Sequence, residues 1–333
     1  MRRTIYDMKG SYIMFPVKLI PPVKDYIWGG EKLKTEYGIH TDLIKAAEAW
    51  VLSCHKDGQS IISGGEYDGR TLESIIEEQG ESVLGRNAAR FDFFPVLIKL
   101  IDAKDNLSVQ VHPDNEYARV HEGEYGKTEA WYILDCEPGA SLIYGFKCPI
   151  SKDEFRERIE NNTLLDVVNQ VPVHPGDLFF IDSGTLHAIG KGILLAEVQQ
   201  NSNTTYRVYD YGRLGADGKP RTLHINKALD VTRCEPPRHP VGPSGAPEHH
   251  PGYTSILQAS CTFFTFRTLE IDGTAVFTAD GSSFVSVVVL EGEGVLEFGE
   301  DNMPLRKGES VFVPADAGEY SLTGCFKVLE TRV

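Results

Sequence analysis

At 333 residues the chain is too long for one small core and fits two or three domains. Its 41% hydrophobic and 24% charged content is that of a soluble globular protein. With 48 acidic against 33 basic residues the net charge is −15, which argues against nucleic acid as a partner and demands local cations in any site that takes a phosphorylated substrate.

The chain opens with Met1 to Ser11, which carries two arginines but no continuous apolar core and so does not read as a signal peptide. Nowhere does an apolar run approach the ~20 residues of a membrane helix, and no membrane partner is expected. The six cysteines are scattered without a CxxC pair, which fits reduced thiols and a cytoplasmic location.

Residues 15–30 begin as a short strand broken by Pro21 and Pro22, followed by a turn at Trp28-Gly29-Gly30. Ala49 to Ser53 reads as a strand. Thr71 to Gln79 reads as a helix with Thr71 as its cap. Phe94 to Ile101 is an apolar strand interrupted by Lys99, which either snorkels to an edge or points into a polar cavity.

Leu107 to Asp114 is the most informative stretch. As a strand it turns Val109 and Val111 to one face and Ser108, Gln110 and His112 to the other. An imidazole is the commonest metal-binding side chain, and an amide two residues away can reach the same ion. Gly126 to Leu134 is the next strand, with Lys127, Glu129 and Trp131 on one face. A carboxylate among such apolar neighbours needs a partner, because a buried unpaired charge is costly.

Ser151 to Gln170 reads as the chief helical segment, with Ser151 and Glu154 in a capping-box pattern. Strands follow at Leu178 to Ile181 and Gly192 to Gln200, the second carrying Glu197. Arg207 then lies between aromatic and β-branched residues. The Pro-rich residues 236–253 form a linker, and from 254 onward short strands alternate with turn signals at Asp272-Gly273, Glu291 to Gly294, Lys307-Gly308 and Thr323-Gly324. Gly176-Asp177, a strand and His187 are echoed by Gly308-Glu309, a strand and Glu319. The chain therefore reads as mainly β, with two related barrels of which only the first is polar inside.

The Gly-acid-strand-turn-His signature resembles the cupins. Longer strings resemble the type I mannose-6-phosphate isomerases, in particular their short bacterial form: Asp25 to Gly30, Leu97 to Ala103, Leu107 to Asp114, Gly126 to Glu129, Gly184 to Ala188 and Tyr206 to Tyr211, in order across about residues 20–230.

That resemblance implies two cupin-type jelly-roll barrels with a small helical insertion (about 151–170), a catalytic metal-binding domain over 1–235 and a degenerate, metal-free barrel over 254–333. It implies one zinc ion per chain held by Gln110, His112, Glu129 and His187, a donor set that suits zinc. Arg207 matches the family's catalytic arginine. Glu197 and Lys127 are the side chains available for proton transfer, alongside a metal-bound hydroxide. Ser108, Lys99 and Arg213 are the donors for a phosphate. Position 203, where the family has an acid, is Asn203, which cannot act as a general base.

The implied reaction is interconversion of mannose 6-phosphate and fructose 6-phosphate through an enediolate, with a sugar phosphate as the only partner and the chain a monomer or homodimer. The alternative is a non-catalytic cupin that binds a sugar or sugar phosphate. A different metal cupin enzyme, such as an oxygenase, is the third reading.

Overall fold

Strict alternation along the longest strands of the first barrel decides where everything else lies. The computed structural model describes residues 15–215 and 218–333; the stretch Met1 to Ser11 lies outside them. A six-stranded antiparallel sheet runs in the order Leu178–Ile181, Glu129–Cys136, Ile193–Gln200, Val96–Ala103, Glu48–Leu52, Val23–Lys24. In its three central strands Ala130, Tyr132, Ala196, Val198, Ile98 and Leu100 point one way into an apolar layer. Trp131, Ile133, Leu195 and Ile101 point the other way and meet Leu142 and Tyr144 of a second sheet. With both faces covered these strands read as nearly continuous apolar runs.

The second sheet has five strands, in the order Val168–Pro172, Ser141–Phe146, His187–Ala188, Val109–Val111, Tyr206–Tyr209. Its outer face, with Val109, Val111 and Phe146, is covered by Phe155 and Ile159 of the helix Lys152–Glu160 and by Ala228 and Leu229 of the helix Ile225–Val231. Its inner face and that of the six-stranded sheet enclose the first barrel.

The third sheet has nine strands. The path runs Glu248–His250, Tyr253–Ser260, Thr265–Ala279, Gly318–Arg332, Val285–Phe298, Ser310–Val313, Val17–Ile20, Ile61–Ser63, with Asp301–Arg306 paired to Val285–Phe298. It closes over an interior of Leu269, Ile271, Val287, Val311, Leu322 and Val328. Two of its strands come from the N-terminal region: Val17 to Leu19 pairs with Ser310 to Phe312, and Lys18 to Ile20 pairs with Ile61 to Ser63. The apolar layer between the barrels joins Ala49, Val51, Ile98 and Leu100 on one side to Leu19, Val288, Phe312 and Leu329 on the other. This is the two-barrel, mainly β architecture expected from the sequence.

Three local expectations are corrected. The helix expected over 151–170 spans only Lys152–Glu160; the chain turns at Asn161-Asn162, with Asn162 at φ 58, makes a 3-10 turn at Leu164–Asp166, and Val168–Pro172 is a strand paired with Ser141–Phe146. Val167, Val168 and Val171 prefer the pleated surface once that partner is beside them. The Ser151 cap is present, its Oγ accepting the Glu154 backbone N–H at 3.0 Å.

The signals at Asp272-Gly273, Glu291 to Gly294 and Thr323-Gly324 are not turns. Thr265–Ala279, Val285–Phe298 and Gly318–Arg332 run through them, with Gly273 and Gly294 both opposite Gly324. A Cβ on Gly294 would meet the Phe326 ring at 2.2 Å, so the glycines there make room for an aromatic ring lying over the strands. Finally, part of the Pro-rich linker expected over 236–253 is ordered as a strand: Glu248–His250 lies at an exposed sheet edge, where His250 stacks on Tyr253.

Candidate active site

The alternation that buries the first barrel also aims polar groups into it. Gln110 lies opposite both His187 and Arg207 in the five-stranded sheet, and His112 follows immediately after that strand ends at Val111. From the facing sheet come Glu129, at the start of its strand, and the cross-strand pair Lys99–Glu197, with Trp131 opposite Glu197. These residues line or adjoin a cavity of about 300 Å³ whose walls include Ser108, Gln110, Lys127, Glu197, Arg207 and Arg221. A cavity of that volume is of small-molecule size. A larger one, about 1140 Å³, lies elsewhere among Leu84, Phe91, Phe94 and Pro314, and contains none of the four expected metal ligands.

At the inner end, His112, Glu129 and His187 bring one donor atom each within 4.8 Å of one another. His112 Nδ1 lies 2.8 Å from the Thr204 carbonyl and His187 Nδ1 2.9 Å from the Thr185 carbonyl. A carbonyl only accepts, so both Nδ1 atoms carry the proton and both Nε2 atoms present lone pairs inward. Those two Nε2 atoms are 3.1 Å apart, and Gln110 Nε2 is 3.4 Å from that of His187.

Glu129 Oε1 lies 3.2 Å from His187 Nε2, and its Oε2 lies 2.6 Å from Lys127 Nζ, yet among the described residues neither oxygen has an aligned hydrogen-bond donor. Burial pushes His187 down to about 3, and burial and then Lys127 push His112 well below its ordinary value, so neither ring relieves the crowding by taking a second proton. Two lone pairs and an unaligned buried carboxylate converging on one point fit a divalent cation. Gln110 presents its amide nitrogen to His187, and turning that amide over would add an oxygen to the set.

Next to this cluster Glu197 accepts from Trp131 Nε1 at 2.8 Å, while its Oε1 pairs with Lys99 at 3.1 Å. Burial alone would raise both carboxyls, and it leaves Glu129, with Glu197 nearby, above the usual range. Glu197 is instead held below that range by Lys127 and Lys99. Lys99 also faces Glu48 at 3.5 Å, so it is a buried interior cation and not a snorkelling one.

At the outer end, Arg207 donates from Nε to Ser108 Oγ at 3.2 Å and from Nη1 to the Thr222 carbonyl at 3.1 Å. Asn203 also lines the cavity. Its Nδ2 donates to Asp57 Oδ2 at 2.8 Å, which turns its amide oxygen away from that carboxylate. Arg213 does not line the cavity: it pairs with Asp210 at 2.6 Å and donates to the Asn106 carbonyl at 2.5 Å. The further arginine that reaches the wall is Arg221. Sequence reasoning missed it, together with Glu48, Asp57 and Asp210. Arg221 sits in Lys219-Pro220-Arg221-Thr222, which has no strand or helix periodicity to flag it.

Residues 16–137 match the family description "Phosphomannose isomerase type I, catalytic domain", and residues 254–333 match "Mannose-6-phosphate isomerase, cupin domain". The chain is 40% identical to the mannose-6-phosphate isomerase ManA of Bacillus subtilis over 315 residues, 93% of this chain and 96% of that protein. It is 37% identical to a mannose-6-phosphate isomerase of Streptococcus mutans, covering 95% and 98%. Its fold superposes on a crystal structure of mannose 6-phosphate isomerase from Bacillus subtilis with a TM-score of 0.88 at 36% identity, over 96% of this chain and all of that one. The chain belongs to the type I mannose-6-phosphate isomerase family.

Proposed function

We propose that the cavity interconverts mannose 6-phosphate and fructose 6-phosphate, with one zinc ion held by Gln110, His112, Glu129 and His187. The observation that carries the metal assignment is the convergence of two Nε2 lone pairs and a buried carboxylate within 4.8 Å, beside a cavity lined by arginines. Bound there, the ion supplies Lewis-acid stabilisation to negative charge on a substrate oxygen. Everything else falls to the chain's own side chains.

Arg207, fixed by Ser108 and Thr222, presents a permanent positive charge to the enediolate oxygen without having to reorganise. Glu197 is the cavity carboxylate held ionised, by Lys127 and Lys99, and is assigned the proton transfer between C2 and C1. Trp131 locks one of its oxygens, so the carboxylate cannot swing out of line. Lys127, touching Glu129 and facing Glu197 at 3.9 Å, holds both carboxylates in place. Asn203 offers a sugar hydroxyl a hydrogen-bond acceptor and takes no part in proton transfer. Residues to about 235 carry this chemistry, and those from 254 onward support it.

The test is one assay on metal-analysed protein, supplying mannose 6-phosphate and following fructose 6-phosphate before and after chelation. Turnover lost on chelation and regained with zinc is the expected result. A stoichiometric metal with no turnover would favour a sugar-phosphate-binding protein instead.

A further inference from the structure

We propose that Arg221 is the residue that grips the substrate's phosphate, presented to the cavity by Asp210 in place of Arg213. This assignment rests on the sugar-phosphate reading above and adds to it the residue that anchors the non-reacting end.

The cavity is electrostatically two-ended. Glu48 and Glu197 stand with the metal cluster at one end, and Arg207 and Arg221 at the other. At the first end the carboxylates are already paired with Lys99 and Lys127, whereas at the second the guanidiniums outnumber the carboxylates, so a phosphate dianion is drawn to the second, which leaves C1 and C2 facing the metal cluster. Three guanidiniums (Arg207, Arg213 and Arg221) crowd the second end, against the buried carboxylate of Asp210 and the half-exposed one of Asp105. The region is short of negative charge. Burial, and then the positive charge of Arg221, push Arg207 below its ordinary value, as expected where cations crowd without enough counter-charge.

Donor accounting separates the two candidate arginines. Arg213 spends all three nitrogens on the protein: Nε on the Asp210 carbonyl, Nη1 on the Asn106 carbonyl and Nη2 on Asp210 Oδ1. It is a brace. Arg221 docks one edge on the same carboxylate, Nε to Oδ2 at 2.7 Å and Nη2 to Oδ1 at 2.5 Å, and among the described residues its Nη1 corner is left for a ligand. A fork pinned along one edge presents its remaining donors at little entropic cost.

The segment bearing Arg221 is itself fastened across Arg207. The Thr222 carbonyl accepts from Arg207 Nη1, the His224 N–H donates to the Arg207 carbonyl, and the Arg207 N–H donates to His224 Nδ1. Arg207 and Arg221 are thus held as a pair, one toward the reacting carbons and one toward the phosphate.

The experiment compares wild type, Arg221→Lys, Arg221→Ala and Arg213→Ala as zinc-loaded full-length protein. It measures KM and kcat for mannose 6-phosphate, and the calorimetric Kd of inorganic phosphate. Losing a charge-assisted pair of hydrogen bonds corresponds to about ten- to a hundredfold in affinity. Arg221→Ala should raise KM and phosphate Kd together by that factor with kcat changed less than about threefold, Arg221→Lys should recover part of the loss, and Arg213→Ala should lose less than Arg221→Ala. Unchanged KM and phosphate Kd, a fall confined to kcat, or a larger loss from Arg213→Ala would each overturn the assignment. If wild type does not turn over mannose 6-phosphate, the functional reading fails, while the phosphate Kd series still decides Arg221.

Discussion

The two barrels share a construction and differ in what fills them. In the first, strands from facing sheets send Gln110, His112, Glu129, Lys99, Glu197 and Arg207 inward around a cavity. In the second, the corresponding space holds Leu269, Ile271, Val287, Val311, Leu322 and Val328, and Glu319, at the position that echoes His187, is exposed on the outside. An apolar interior closes on itself and contributes stability. A polar interior must satisfy every charge by pairing or by a bound ion, and what it contributes is chemistry. The barrels also lean on each other: the outer face of the six-stranded sheet is as apolar as a core, and the second barrel covers it together with Leu72, Ile75 and Ile76 of the helix Leu72–Gln79.

The sharpest way to break this comparison is to remove the second barrel. Deleting residues 240–333 uncovers Ala49, Val51, Ile98, Leu100, Ala130 and Ala196 and strips Val17 to Ile20 of the strand it pairs with. Such a chain is expected to be insoluble, as judged by soluble yield and gel filtration; a soluble, active truncation would show the barrels to be independent.

Within the polar barrel, Arg207→Ala should lower kcat/KM by about a thousandfold, in the range seen when one fixed donor to a developing oxyanion is removed. Its metal content should be unaltered and its urea midpoint close to wild type, by metal analysis and denaturant melts. Unchanged turnover would take Arg207 out of the mechanism. In the apolar barrel the pattern should invert. Leu322→Ala, at a fully buried position, should cost about 2–5 kcal/mol of stability while leaving the kcat of the folded fraction intact. A variant that loses activity without losing stability would show that the second barrel bears on the site directly.

How far the sequence could be read follows from the range of the interactions concerned. Alternation in Leu107 to Asp114 and Gly126 to Leu134 was enough to single out Gln110, His112 and Glu129 as polar residues needing a common purpose, because side chains on a strand have only two faces to choose between. Helix caps were legible for the same local reason: Thr71 and Ser151 both accept the backbone N–H three residues on. For Lys99 the local pattern leaves edge and cavity open. Only the strand beside it, with Glu197 directly opposite, resolved that.

By itself, then, the sequence determined the β character, the starts of the helices capped by Thr71 and Ser151, and the polar face of the strands that carry Gln110 and Glu129. All of these depend on neighbours within a few residues. Tertiary structure alone decided that Val168 to Pro172 is a strand, that Val17 to Leu19 pairs with Ser310 to Phe312 of the C-terminal sheet, that glycines such as Gly294 lie inside strands to admit the Phe326 ring, and that Arg221 reaches the cavity where Arg213 does not. Each of those outcomes was settled by a partner distant in sequence — a strand edge, an aromatic ring, or the carboxylate of Asp210 for which two arginines compete — and no local pattern records which partner will be there.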